Sequence, residues 1–122
     1  MTVSEAIEKV KERKPNAYSD KLLVEWLNDC EAQVQRELMG VPAEGIKQYD
    51  EVEDLEQDLL LPRPYDAAYV TYIIAMIEFN QQEYNAYNNS IVMFNTQYDA
   101  AQKYYNSTFK HTMGLKIRNW LR

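Results

Sequence analysis

Apolar residues recur at steps of three and four in four separate stretches of this chain, and polar or turn-forming residues interrupt them. Thr2 and Glu5 have the spacing of a capping box, and Val3, Ala6, Ile7 and Val10 follow as a one-sided stripe. The pattern predicts a short helix that must dock to persist, ended by Lys14, Pro15 and Asn16. Ser19 is placed to cap a second helix over residues 20–39, with Asp20 in its first turn. Leu23, Trp26, Leu27, Cys30, Val34 and Leu38 form its core-facing stripe, and Gly40 and Pro42 stop it. A third helix begins near Pro64, with Tyr65, Tyr69, Tyr72, Ile73, Met76, Ile77 and Asn80 on one face. Val70, Ile74 and Phe79 widen its apolar arc so far that the helix must be central or covered again by a partner. Residues 80–83 form the turn into a fourth helix over residues 84–106, whose stripe is Tyr84, Tyr87, Ile91, Phe94, Tyr98, Ala101 and Tyr105. A short turn makes the last two helices antiparallel neighbours. Leu27, Ile73, Ile77, Ile91 and Phe94 are expected in the core.

Two segments break the helical pattern. Residues 42–61 have no clean period and hold the acidic run Glu51, Glu53, Asp54, Glu56 and Asp58. They read as an exposed connection without a rigid scaffold, long enough to suggest function or mobility. Ile46, Tyr49 and Val52 can form a short extended piece, and Leu59, Leu60 and Leu61 are expected to tuck into the core. In residues 110–122, Met113, Leu115, Ile117, Trp120 and Leu121 mix alternating and helical spacing, and Gly114 allows a hinge. This tail reads either as an interface arm, since Trp and Arg are favoured at interface hot spots, or as a segment docked on its own domain. The expected fold class is therefore all-α: a compact bundle of about four helices with a long acidic connection and a C-terminal arm. Residues 1–108 form the helical domain and residues 109–122 the arm.

Composition narrows the function. The chain has 122 residues, 46% of them hydrophobic, enough for one packed domain. Its net charge of -6 argues against nonspecific duplex binding over the whole surface. The charge is uneven, because no acid follows Asp99 whereas Lys103, Lys110, Lys116, Arg118 and Arg122 do. Such polarity can steer one surface toward another. Cys30, the single cysteine, permits no intrachain disulfide and falls in an apolar stripe, so it reads as a buried structural thiol. One histidine, His111, and three glycines supply no zinc set, no catalytic triad and no phosphate-cradling loop. The expectation is a protein that is not an enzyme and takes no cofactor or metal. No opening apolar run resembles a signal peptide, and residues 69–79 are too short and too interrupted to span a membrane, so a cytosolic start without membrane insertion is expected. Lysines and arginines near Tyr104, Tyr105, Phe109 and Trp120 leave open a small DNA-binding accessory protein as the alternative, because cations and aromatics together can hold phosphates and stack bases.

The residues TVSEAIEKVKERKPNAYSD (2–20), WLNDCEAQVQREL (26–38) and, above all, residues 59–106 with the run EYNAYNNSIVMF (83–94) give the chain a wider likeness. It resembles the small helical head-tail connector, or head-completion adaptor, proteins of long-tailed bacteriophages and related prophages, over residues 2 to about 108. The resemblance implies a structural protein of the virion neck, assembled in the bacterial cytoplasm. Such a protein attaches below the portal protein, self-associates as a ring that is commonly twelvefold, and receives a stopper or tail-completion protein. DNA passes through the ring without being read. On this reading Phe109, Leu115, Lys116, Ile117, Arg118, Trp120, Leu121 and Arg122 are expected to dock on the portal. Glu51, Glu53, Asp54, Glu56 and Asp58 would offer an acidic interaction loop.

Overall fold

Thr2 opens the first helix as its spacing predicts: its Oγ1 accepts the Glu5 backbone N–H at 3.2 Å. The computed structural model describes the backbone of residues 1–120 and the side chains of residues 1–108. Four helices make up an all-α bundle: α1 (Val3–Arg13), α2 (Asp20–Glu37), α3 (Ala67–Asn80) and α4 (Tyr84–Trp120). A short 3-10 turn, Ala43–Gly45, lies in the connection between α2 and α3. Ser19 Oγ caps α2 by accepting the Leu22 N–H at 3.3 Å.

α3 is the central element. It packs against each of the other three helices, which explains why apolar residues cover so much of its circumference. Tyr69, Ile73 and Ile77 are fully buried, together with Val3, Val10, Leu23, Leu27 and Val34 from α1 and α2. Phe94, Tyr98 and Ala101 bring α4 into the same core. Their rings form a chain, Tyr72–Phe94 at 5.3 Å and Phe94–Tyr98 at 5.6 Å between centroids. Offset and tilted ring pairs of this kind add to the area that they bury. Cys30 is completely buried, and burial followed by the adjoining Glu31 and Asp29 pushes its thiol far up, so it stays protonated.

Three expectations shift. Ile91 is only half-buried, unlike Leu27, Ile73, Ile77 and Phe94. The first turns of α4 lie against α3, and α2 reaches the helix later, where Tyr98 Oη donates to Glu37. α3 begins at Ala67 rather than near Pro64, because residues 63–66 form tight turns in which Tyr65 and Asp66 N–H both bond to the Pro62 carbonyl. α4 continues as one helix to Trp120, past the end expected near Asn106. No proline interrupts that stretch, and a single glycine costs a helix only about 1 kcal/mol.

The turn between α3 and α4 lacks the glycine that usually ends a helix. Gln82 occupies the left-handed position instead, at φ 62°. Its N–H bonds to the Phe79 carbonyl at 3.1 Å and the Glu83 N–H to the Glu78 carbonyl at 2.9 Å. These are the two closing bonds of a Schellman cap. Lys14, just after α1, clamps this turn through Glu83 at 2.6 Å.

Candidate interaction surface

Beside its apolar stripe, α2 presents a row of polar residues at steps of three and four: Asn28, Glu31 and Gln35. Asn28 Nδ2 donates to the Tyr49 carbonyl at 3.0 Å, and its Oδ1 accepts the Tyr49 N–H at 2.8 Å. Gln35 treats Lys47 in the same way, with both bonds at 3.0 Å. Each amide therefore supplies the donor and acceptor that a neighbouring β-strand would. Of the extended piece expected over Ile46, Tyr49 and Val52, the part from Ile46 to Tyr49 lies along α2, held by its side chains, whereas Val52 sits in an exposed turn.

Glu31 lies between the two amides and is completely buried. Its Oε2 accepts Tyr49 Oη at 2.9 Å and the Leu60 N–H at 3.0 Å, and its Oε1 accepts Tyr69 Oη at 2.6 Å. The Tyr69 hydroxyl itself accepts the Leu61 N–H at 2.9 Å, so its proton points at Glu31. One carboxylate thus joins α2, α3 and both arms of the connection. Satisfying its lone pairs in this way is what makes a buried carboxylate tolerable.

The connection is tied on its other side to α1. Val3 and Ser4, at the start of that helix, donate their N–H groups to the carbonyls of Gln57 and Leu55 at 3.0 and 2.9 Å. A helix start leaves such donors without internal partners, and the loop supplies the acceptors. Leu59 and Leu61 are buried as expected, whereas Leu60 turns outward. The acidic run therefore has the scaffold that its sequence did not suggest. Its tip is locally ordered: Asp50 Oδ2 accepts the Val52 and Glu53 N–H groups, both at 2.9 Å, and Asp54 accepts the Asp50 N–H at 2.7 Å. The two bonds to Asp50 hold its carboxyl below the usual range. Glu53, Glu56 and Asp58 face solvent, and Glu51 and Asp54 are partly covered. The loop is an acidic surface at a fixed place beside α1 and α2.

The tyrosines around these carboxylates resist ionisation. Burial first, and then Glu31, pushes Tyr69 and Tyr49 well above the ordinary phenol range. Burial and the Glu37 bond do the same for Tyr98, and Tyr72 is pushed up to about 12, mainly by burial. An unfolded chain ionises tyrosine near pH 10. A raised folded pKa leaves stability intact below that value and removes it as the pH climbs toward the folded values. Unfolding is therefore expected to begin above about pH 10. The tyrosinate signal of these four should appear together with loss of helicity. Titration of all ten tyrosines in one step with the helices intact would contradict this.

The buried row of α2 escaped the sequence reading. Its only trace was the step of Asn28, Glu31 and Gln35 alongside the apolar stripe, and nothing in that spacing identifies partners in a distant loop. The expected docking residues Phe109, Leu115, Lys116, Ile117, Arg118 and Trp120 have side chains outside the described residues, and Leu121 and Arg122 lie wholly outside them. Among the described residues no cluster of His, Cys, Asp and Glu is arranged to hold a metal ion, and no helix is long and apolar enough to cross a membrane. No family model matches this chain, and no curated protein or solved structure is detectably similar to it.

Proposed function

We propose that this protein is a structural adaptor of a phage neck, joining a portal to a stopper or tail component and extending the DNA channel as a ring. The observation that carries the reading is α4: its 37 residues make a rod about 55 Å long rooted in a small helical bundle. A rod of that length suits a protein that spaces two surfaces apart. The work is geometric, so the reading needs neither an active centre nor a cofactor. The fixed acidic loop adds support, since carboxylates beside a passage repel DNA and keep it from adhering. The alternative, a small DNA-binding accessory protein, rests on the cations and aromatics from Lys103 onward.

Mixing the purified full chain with portal tests the reading. Many copies per portal, arranged as a ring, are expected, and one copy per complete portal would sink it. Duplex binding at moderate salt without portal binding would favour the alternative. A chain ending after Lys110 should keep its bundle but bind portal more weakly, because it lacks residues 111–122, which hold all the proposed docking groups except Phe109. Unchanged portal affinity would remove that role from the segment.

A further inference from the structure

Residues 84–98 of α4 carry no charged side chain, in a protein that is 26% charged. On the outer side of that stretch Val92 and Met93 are 66% and 56% exposed. Asn88, Asn89 and Asn95 surround them, also exposed, and their amides make no side-chain hydrogen bond among the described residues. Asparagine is a poor helix former, and here nothing within the bundle compensates for it.

A second feature lies around the same helix. Leu38, Met39 and Gly40, at the end of α2, face Tyr105 and Asn106 of α4 across a groove of about 540 Å³, with Glu37 at its edge. Gly40 sits at φ 69° with open space where a side chain would be, so the groove stays unfilled. Helical geometry places Val92 and Met93 about 18–20 Å along α4 from Tyr105 and about 120–140° around it. The ridge therefore cannot enter the groove of its own molecule, but it can enter that of another.

We propose that the Val92–Met93 ridge of one copy seats in the Leu38–Met39–Tyr105 groove of a second copy. Two copies of a chain with net charge -6 repel each other, and the ridge is where close approach adds no like charge. The free amides beside it can donate and accept, so they match polar groups without needing an opposite charge. Ridge and groove are different surfaces, which makes the contact head-to-tail, and repetition of such a contact gives a ring or a filament. The uncharged face is about 22 Å long and 10 Å wide, well below the roughly 800 Å² per partner of a stable complex. The contact is consequently weak between free copies and becomes effective where a template holds them side by side. Ring closure rests on the adaptor reading, but the contact itself does not.

Sedimentation of the full chain over a concentration series to about 1 mM tests it. Reversible association is expected. Met93→Lys and Met39→Glu should each weaken it roughly tenfold with unchanged helicity and melting. Mixing the two variants should recover it, because the unaltered ridge of the Met39→Glu copy meets the unaltered groove of the Met93→Lys copy, and at the reciprocal contact the new ammonium meets the new carboxylate. A monomeric wild type throughout overturns the proposal. So does association lost with Met93→Lys but untouched by Met39→Glu, which would mean ridge packing on ridge, or a mixture that fails to recover. The copy number on the portal judges the adaptor reading separately.

Discussion

Replacing Glu31 by alanine should destabilise the protein by about 3–5 kcal/mol. The side chain is completely buried, and three donors converge on it: the hydroxyls of Tyr49 and Tyr69 and the Leu60 N–H. Its removal leaves the Tyr69 hydroxyl and the Leu60 N–H without an acceptor and the Tyr49 hydroxyl with only the Asp58 carbonyl at 3.4 Å, and each such loss costs about 1–3 kcal/mol. It also opens a cavity beside Tyr69. Relief from burying a carboxylate offsets part of the sum, which is why the expectation stays below the simple total. Glu31→Gln keeps the volume but turns an NH2 group toward donors, so it should cost less, about 1–3 kcal/mol. Tyr69→Phe should cost less in the alanine background than in the wild type, because the two residues share one bond. Urea unfolding of these variants beside the wild type measures all of this. A Glu31→Ala protein within about 1 kcal/mol of wild type would show that the carboxylate is not what holds the connection down.

Phe94→Ala is expected to cost a similar amount, about 3–5 kcal/mol. Phe94 is 5% exposed and lies between the rings of Tyr72 and Tyr98. Truncation forfeits its buried area and both ring contacts, and neither helix can close the gap without moving the rigid turn at Gln82. Val92→Ala, two residues away and exposed, should change stability by no more than about 0.5 kcal/mol. Equal melting temperatures for Phe94→Ala and Val92→Ala would contradict the packing of α4 on α3.

The contrast between these residues shows what was legible in the sequence. Phe94, Ile73 and Leu27 could be placed because a helix repeats its apolar positions and the pattern reveals which face is inward. Glu31 could not, because an acid beside an apolar stripe is ordinarily on the rim, and its partners Tyr49 and Leu60 are 18 and 29 residues away. Ile91 followed the stripe yet is half-buried, since periodicity identifies a face but not how far along the helix a neighbour extends. The turn at Gln82 was recognised from its polar residues, although its left-handed conformation is one that glycine normally signals. The acidic run itself was plain, but the bonds that fix its ends come from Asn28, Gln35 and the first turn of α1.

Those bonds have a consequence for how the protein can vary. The chain joins its track on α2 at Lys47 and Tyr49 and is gripped again by α1 and Glu31 from Leu55 to Leu61. Between the two grips, the backbone is organised by the Asp50 and Asp54 side chains and by one bond from the Asp54 N–H to the Asp50 carbonyl at 3.3 Å. Lengthening a surface loop adds little closure cost, about 0.6 kcal/mol for each doubling. The tip can therefore change in length and charge while the anchors keep its ends in place, leaving the bundle a constant frame for an exchangeable segment.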